Sequence, residues 1–173
     1  MSANCIKEQP SNRNFLNPIG FLLKLEKFDG VDFFCQSANV PDVTMPTTEV
    51  ASPFRNLPII PGGGVTFGDF SVTFLVDEDL VNYNSIYKWI RDNGNADEML
   101  RSTADSDIYT DGQLQILTSQ FNPAFNVDFK NLFPVSLTGM QFDARMSDAE
   151  YITATVTFKH QQFFLRDKNN RLL

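Results

Sequence analysis

Few side chains in this sequence could carry out catalysis or bind a metal, and they are not grouped. The only histidine is His160, and the two cysteines are Cys5 and Cys35. Zinc needs several His, Cys or carboxylate ligands at short spacings, and a serine or cysteine nucleophile needs a histidine base beside it. Neither arrangement can be assembled from these residues by spacing. The sequence therefore predicts no enzyme, no metal and no other cofactor. Cys35 is predicted to be a small buried apolar residue.

Two short motifs resemble ion-binding sites but have better structural explanations. The acidic run Asp77–Asp79 lacks the alternating ligands and central glycine of an EF-hand loop. It stands where carboxylates would cap the start of a helix. The glycines Gly62, Gly63 and Gly64 lack the lysine and the following helix of a phosphate loop. We interpret them as a hinge at the base of an arm.

The charge balance argues against tight binding to nucleic acid. The 173 residues include 21 Asp and Glu against 14 Lys and Arg, a formal net charge of −7. Tight phosphate binding needs clustered cations. An acidic surface repels DNA instead and would let a strand pass along it. An ordinary solvated acidic surface explains the same composition. No apolar run approaches a membrane span and the start lacks the apolar core of a signal peptide, so we expect no membrane insertion.

The chain divides into one domain with two polar ends. Residues 1–17 predict a flexible N-terminal arm, residues 18–165 a single β domain, and residues 166–173 a charged C-terminal tail. The length suits one ordinary domain, and 42% apolar residues suffice for a core. Each of the 17 phenylalanines can fill that core or lie at a subunit contact.

Alternating apolar residues predict a mainly β fold, a sandwich or barrel of about seven strands. The turn residues Asp29 and Gly30 indicate a hairpin over residues 20–40, and residues 147–150 indicate a turn between the last two strands. The predicted strands cover residues 21–26, 33–40, 70–76, 112–119, 125–130, 132–142 and 151–165.

One flanking helix is predicted at about residues 79–92. Apolar side chains recur there every three or four residues, which gives the stripe that a packed helix needs, and Gly94 follows as a stop signal. We expect this helix to plug one open end of the sandwich. A short helical turn is also indicated near residues 96–100.

Residues 41–67 form the most unusual segment of the sequence. Five prolines, Pro41, Pro46, Pro53, Pro58 and Pro61, exclude a helix and a central sheet strand. A loop of this length inside a compact domain is usually functional or disordered. The segment could be an extended two-stranded arm or a loosely wrapped cover, and both interpretations stay open.

The order and spacing of three blocks resemble a known family. They are Phe34–Pro41 (FCQSANVP), Phe67–Glu78 (FGDFSVTFLVDE) with the helix that follows, and Lys130–Pro134 (KNLFP) leading into the closing strands. Together, over about residues 15–165, they resemble the inner tail-tube proteins of contractile-tailed bacteriophages (myoviruses). The type VI secretion tube proteins are related to that family.

This resemblance implies a β-sandwich with a flanking helix that functions by polymerising. Six-membered rings would stack into a hollow tube in the virion tail, after assembly in the host cytoplasm. The implied partners are further copies of the chain, the tail sheath protein, the tape-measure protein, baseplate tube proteins and the tail terminator. Double-stranded DNA would pass transiently without specific binding.

The resemblance also suggests which residues contact the next ring. The loop 41–67 would reach the next ring, and the contact residues would be Thr47, Thr48, Glu49, Val50, Phe54, Arg55 and Asn56. Deleting about residues 47–56 should leave a folded subunit that cannot stack. The hydroxyl rows of two strands are candidates for the lumen or the outer face: Ser71, Thr73, Thr153, Thr155 and Thr157.

Several alternatives stay open. The chain could be a specialised subunit, either a baseplate tube initiator or a tail terminator, or it could form a type VI secretion-like tube that carries effectors instead of DNA. From a different class, a monomeric ligand-binding β-barrel would line a pocket with its aromatic side chains. That barrel predicts a discrete cavity and has no use for a long arm.

Overall fold

Seven strands build the main sheet, which folds over into two layers. The computed structural model describes residues 16, 18–26, 35–51, 53–54, 56–94, 108–143 and 151–173. The elements are β1 Phe21–Leu25, β2 Cys35–Ala38, β3 Val43–Thr44, β4 Thr47–Ala51, β5 Asn56–Pro61, β6 Thr66–Phe67, β7 Phe70–Leu75, α1 Val81–Gly94, β8 Thr110–Leu117, β9 Pro123–Leu137, β10 Thr153–Lys159 and β11 Gln162–Asp167. The predicted fold class is confirmed, since the described residues are mainly β with the flanking helix α1.

The long strand β9 joins the two layers. Its first half pairs with β8 and β11, its second half pairs with β10, and all these pairs are antiparallel. The first layer therefore runs β1-β8-β9-β11 and the second runs β9-β10-β7-β2. Asn131 lies between the two halves with φ 54, a left-handed conformation that asparagine tolerates better than most residues. The chain changes layers at this residue.

Apolar side chains from both layers meet in one core. Along β7 and β10 the side chains alternate between buried and half-exposed, as the period-two pattern predicts. Phe70 of the second layer stacks on Phe129 of the first, with ring centroids 4.3 Å apart. Offset aromatic pairs of this kind add to the area that they bury. The sandwich thus fills its interior with its own side chains.

The helix packs its apolar stripe on the sandwich, but it begins later than predicted. Trp89 is buried, lies near Phe158 with ring centroids 6.1 Å apart, and donates its indole N–H to the Ile108 carbonyl at 3.1 Å. The helix starts at Val81 because the preceding residue, Leu80, has φ 56. Gly94 is the last helical residue rather than a stop beyond the helix.

The prediction that Asp77 caps the helix is wrong. The first helical turn contains no acidic residue. The Asp77 carbonyl instead accepts a hydrogen bond from the Leu80 N–H at 2.9 Å, which closes a turn before the helix. The buried side chain of Asn82 connects strand and helix: its Nδ2 donates to the Leu75 carbonyl at 2.8 Å and its Oδ1 accepts from the Asp77 N–H at 3.2 Å.

Three strand predictions are also wrong in detail. Residues 20–40 do not form a hairpin, since β1 pairs with β8 and β2 pairs with β7. The two strands predicted at 125–142 are the single bent strand β9. The strand predicted at 151–165 is two strands, because the chain turns at His160 and Gln161 and β11 pairs with β9 rather than continuing beside β7.

The C-terminal residues fold back on β11. The N–H of Asp167 donates to the Arg171 carbonyl at 2.8 Å, and the N–H of Leu173 donates to the Leu165 carbonyl at 3.1 Å. Most of the predicted N-terminal arm, the turn at 147–150 and the helical turn at 96–100 lie outside the described residues. In the part of the chain that the structure describes, no helix is long and apolar enough to cross a membrane.

Candidate assembly surfaces

The segment 41–67 is a two-stranded ribbon that projects from the sandwich; we call it the arm. Strand β3 pairs with β6 near the sandwich, and β4 pairs with β5 further out. Proline is tolerated in such a ribbon because each strand has an outer edge that makes no ladder hydrogen bonds. The two-stranded interpretation of this segment is therefore correct, and a loosely wrapped cover is excluded.

The arm presents apolar side chains to solvent. Phe54, near its tip, is 98% exposed, and Val43, Met45 and Val65 are each more than half exposed. The side chains of Thr47, Thr48 and Glu49 are also exposed. Of the other predicted contact residues, Val50 and Asn56 lie in β4 and β5, and Arg55 falls outside the described residues. The contact role of all seven stays a prediction.

The root of the arm is fixed to the sandwich by specific contacts. The Gly68 N–H donates to the Asp42 carbonyl at 2.9 Å. The Oδ1 of Asn39 accepts a hydrogen bond from the Ser71 N–H at 2.6 Å. Phe67 packs edge-on against Phe163, with ring centroids 5.4 Å apart. No periodic pattern in the sequence predicts these contacts, since each joins residues far apart in the chain.

Gly68 fits at this root because it has no side chain. A Cβ added there would lie 1.7 Å from Oδ1 of Asp42, far inside any tolerated contact. The Asp42 side chain is exposed, so a substitution at Gly68 would have to displace that side chain, while the Asp42 backbone nitrogen would lie 3.4 Å from the new Cβ.

The three glycines predicted to act as a hinge lie within the arm rather than at its base. They separate the β3–β6 pair from the β4–β5 pair. Gly63 and Gly64 have φ of 88° and 91°, values that side chains rarely adopt. The Gly62 N–H still donates to the Pro46 carbonyl at 3.1 Å, so the two strands stay joined there. Hinge motion at this point stays a prediction.

The two hydroxyl rows singled out in the sequence form one surface. Strand β7 pairs with β10 so that Thr73 lies opposite Thr155 and Ser71 lies opposite Thr157. The hydroxyls of Thr73 and Thr155 are 3.0 Å apart. Ser37 of β2 extends the surface from the other side, opposite Thr73. We call this the hydroxyl face; the sequence indicated its two rows but not that they adjoin.

The outer side of the first layer has a different chemistry. The Nε2 of Gln113 donates to Oδ1 of Asp128 at 2.8 Å, and the Nε of Arg166 lies 2.7 Å from the other oxygen of that carboxylate. Gln115 and Asn126 pair beside them at 3.2 Å. This charged and amide-rich side contrasts with the hydroxyl face, whose one described ion pair, Lys159 with Asp69 at 3.1 Å, lies at its margin.

His160 does not resemble a catalytic residue. Its ring packs against Phe67, Phe129 and Phe163, with centroids 5.2 to 5.8 Å apart. Both ring nitrogens are buried and have no hydrogen-bond partner. Burial lowers the pKa of this histidine, and the nearby Asp69 charge opposes that shift. No group of three or more potential metal ligands occurs among the described residues.

Comparison with known proteins supplies the family. The family model for phage tail tube proteins matches residues 8–166, whereas no curated protein matches the sequence. A chain in the cryo-EM structure of the anti-feeding prophage cap, the tube-terminating cap, has a TM-score of 0.65 at 17% identity, covering 96% of this chain and 99% of that one.

Two further solved structures share the fold. A chain in the sheath–tube complex of the PVC extracellular contractile injection system, in its extended state, has a TM-score of 0.62 at 13% identity, covering 96% of this chain and 99% of that one. Hcp1 from E. coli EAEC 042 has a TM-score of 0.54 at 12% identity, covering 90% and 96%.

The family match spans the whole sandwich and the arm. Tail tube proteins are structural subunits, so the prediction that this chain is not an enzyme is confirmed. Because the family model covers nearly its full length, the chain belongs to the phage tail tube protein family, as its sequence blocks indicated.

Proposed function

We propose that the chain is the main tube subunit of a contractile phage tail, in which six copies close a ring and rings stack into a hollow tube. The observation that carries this proposal is the arm. Its apolar side chains, Phe54 above all, are held in solvent by an ordered ribbon. Burying such surface contributes about 25 cal/mol per Å², and a neighbouring copy supplies the surface that buries it.

Ring closure is supported by the strand order. β1 and β2 stand at the two ends of the path through the main sheet. End strands are where pairing with another chain extends a sheet, and closure into a ring protects them from uncontrolled association. The C-terminal residues that cover β11 leave these two end strands as the ring contacts.

The hydroxyl face is the surface that we assign to the lumen. Its short Ser and Thr side chains carry no charge, and the chain as a whole carries −7. Such a wall offers no cation cluster to bind phosphate. It would hold the tape-measure protein before ejection and let double-stranded DNA pass without capture. The charged side of the first layer would then face outward, toward the tail sheath protein.

The remaining partners are proposed from the architecture of similar particles. Chains of this fold occur in structures described as a baseplate, a sheath–tube complex and a tube-terminating cap. We infer that baseplate tube proteins start this tube, that a tail terminator ends it, and that it is assembled in the host cytoplasm before it becomes part of the virion tail.

A second candidate is a tube of a contractile injection system, because two of the similar structures are described as parts of an extracellular contractile injection system. This tube would carry protein effectors instead of DNA, and neighbouring genes would distinguish the two. A baseplate initiator or terminator role would limit the chain to one or a few rings. A monomeric ligand-binding barrel is disfavoured because aromatic side chains fill the interior and the arm would have no role.

Negative-stain electron microscopy of the purified protein across a concentration series tests the proposal. We expect rings and hollow tubes, whose number rises with concentration. A second series with added baseplate-tube extract covers the case in which assembly needs a template. Uniform small particles in both series, at every concentration, would contradict a tube function.

A further inference from the structure

A continuous group of rings connects the root of the arm to the core, and a histidine is one of its members. The His160 ring lies among Phe67 of β6, Phe129 of β9 and Phe163 of β11, with centroids 5.8, 5.2 and 5.7 Å away. We call these four residues the aromatic cluster. Phe129 also stacks on Phe70 inside the core. The turn between β10 and β11, where His160 stands, thus joins the arm to the sandwich.

The polar atoms of His160 are out of place in this cluster. Its Nδ1 and Nε2 are both buried, and neither has a hydrogen-bond partner in the part of the chain that the structure describes. A neutral imidazole carries one N–H donor and one acceptor, and an imidazolium carries two donors. Burying such groups unpaired costs free energy that a phenylalanine would avoid. Histidine therefore weakens the cluster, and it does so most when it is protonated.

The charges around the cluster act mainly through one carboxylate. Asp69, which follows the arm in the sequence, is the described charged group that acts on His160, and it favours the protonated ring. Burial has the larger effect and lowers the pKa of His160. The charged side chains that flank the cluster on β9, β10 and β11 form these ion pairs: Lys130 with Asp111, Lys159 with Asp69, and Arg166 with Asp128.

The arm root is attached to the sandwich by a polar and an apolar contact. In the polar contact, Asn39 accepts a hydrogen bond from the Ser71 N–H at 2.6 Å and donates to the Asp69 carbonyl at 3.1 Å. None of these groups changes its protonation near neutral pH. In the apolar contact, Phe67 packs against His160 and Phe163. The apolar contact is therefore the one that a proton can weaken.

We propose that His160 is a pH-sensitive latch for the arm: the neutral ring packs against Phe67, and protonation moves the ring out of the aromatic cluster toward water and the Asp69 carboxylate, which frees the arm root. The proton comes from solvent, and no other bond is made or broken. The arm is the element with two positions, one packed and one released. The latch is a property of the single subunit, and its effect on tubes rests on the proposed stacking function.

The sign of the pH dependence follows from the burial of the ring. Burial lowers the pKa of His160 in the closed latch, so the released form binds the proton more tightly. The closed form is fully favoured above the ordinary pKa of 6.5. It loses that advantage as the pH falls through the lowered pKa, so acid should open the latch.

Nuclear magnetic resonance of the full chain, below the concentration at which rings form, tests the latch directly. His160 is the only histidine, so its ring signals are unambiguous. At pH 7.5 we expect a nuclear Overhauser effect between the rings of His160 and Phe67. This signal should disappear as His160 is protonated, with a midpoint below pH 6.5. A signal that is absent at pH 7.5 or persists after protonation, or a midpoint at or above pH 6.5, would overturn the latch.

A second signal in the same spectra separates opening of the latch from acid unfolding. The nuclear Overhauser effect between Phe70 and Phe129, which stack inside the core, should persist over the whole titration. Its loss together with the signal between His160 and Phe67 would show that acid unfolds the sandwich, and the latch would be rejected.

A matched pair of carboxylate variants tests the role of Asp69. Asp69→Asn should lower the His160 midpoint by about 0.5 pH unit, because the lost charge favours the imidazolium and Lys159 already offsets part of it. Asp79→Asn, in the turn before the helix, removes a carboxylate elsewhere and should leave the midpoint unchanged. Equal midpoints in the two variants would contradict the pairing of the released ring with Asp69.

Tube yield in negative stain connects the latch to assembly. It is compared at pH 7.5 and at one pH unit below the midpoint found by magnetic resonance, where about one latch in eleven is still closed. Parent yield should fall about tenfold, whereas His160→Phe, whose ring takes no proton, should give equal yields. An equal fall in both proteins would overturn the latch as the cause. Absence of tubes from the parent at both pH values would overturn the tube function, and the magnetic resonance result would then decide the latch alone.

Discussion

The arm and the sandwich use the same kinds of side chain for opposite purposes. In the sandwich, Phe70 and Phe129 are at most 1% exposed and stack on each other across the two layers. In the arm, Phe54 is 98% exposed although the strands that lead to it, β4 and β5, are paired with each other. The sandwich therefore buries its own apolar surface within one chain, whereas we propose that the arm buries Phe54 only in an assembly.

This difference separates folding from polymerisation within one small protein. Changes in the sandwich should alter the free energy of unfolding of a single subunit. Changes in the arm should alter assembly and leave that free energy almost unchanged. Changes in the sandwich should therefore be measured by the free energy of unfolding, and changes in the arm by assembly. Each measurement should respond little to changes in the other region.

The largest expected contrast is between two phenylalanines. Phe129→Ala should lower the free energy of unfolding by about 3–5 kcal/mol, since it empties a filled core. Phe54→Ala should change it by less than about 0.5 kcal/mol. Urea unfolding of the unassembled protein, followed by the fluorescence of the single tryptophan Trp89, measures both. Equal costs for the two variants would remove the distinction between the regions.

The next contrast concerns two asparagines on the helix. Asn82 is 3% exposed and ties the end of β7 to the helix start, whereas Asn84 is exposed. Asn82→Ala leaves the Leu75 carbonyl without its side-chain donor and should cost about 1–3 kcal/mol. Asn84→Ala serves as the control and should cost less than about 0.5 kcal/mol. A similar effect of both substitutions, in the same urea assay, would show that the hydrogen bonds of the Asn82 side chain add no stability.

A backbone change in the arm tests whether assembly can be weakened without a change in the stability of the subunit. Gly64→Ala places a side chain at φ 91, which strains the arm by about 1–2 kcal/mol. We expect about tenfold lower tube yield with an unchanged unfolding midpoint. Gly94→Ala, at the helix end with nothing within 4 Å of the new Cβ, is the control. Full tube yield from Gly64→Ala would show that arm geometry does not limit assembly.

The smallest effect is expected at His160, where the arm root contacts the core. Burial lowers its pKa below the ordinary 6.5, so the unfolded chain binds a proton that the folded subunit resists. Its contribution to stability is complete above about pH 6.5 and is lost as the pH falls through the folded pKa. Urea midpoints at pH 7.5 and 5.5 should therefore converge in His160→Phe. An identical pH dependence in the variant would exclude this role.

Patterns among neighbouring residues correctly predicted the parts of the fold that depend on short-range backbone preferences. The alternation from Phe70 onward and the threonine row of β10 follow from the two-residue period of a strand, and both were correct. The prolines of the arm correctly excluded a helix and a central sheet strand, whereas the preference for a two-stranded arm came chiefly from the family resemblance. In each case the local structure is determined by residues that are neighbours in the sequence.

Contacts between residues far apart in the chain determine the features of the fold that were not predicted from the sequence. The layer change at Asn131 depends on its N–H donating to Oδ1 of Asp111 at 3.2 Å. The helix starts late because Asn82, not Asp77, receives the hydrogen bonds there. The groove beyond the end of β7 is lined by three separate segments of the chain, so no single stretch of sequence carries its signal; they contribute Leu75–Glu78 with Leu80, Met140 with Phe142, and Tyr151 with Ile152.

Removing the outer arm tests most directly the claim that assembly and folding reside in different regions. Because the Gly62 N–H bonds the Pro46 carbonyl, residues 47–61 can be deleted and Pro46 joined to Gly62 as a short turn. Urea unfolding and negative-stain microscopy would be run on this variant and the parent at matched concentrations. We expect an unchanged unfolding midpoint, rings at most, and no tubes. Tubes of normal length from the shortened protein would contradict the separation of assembly from folding.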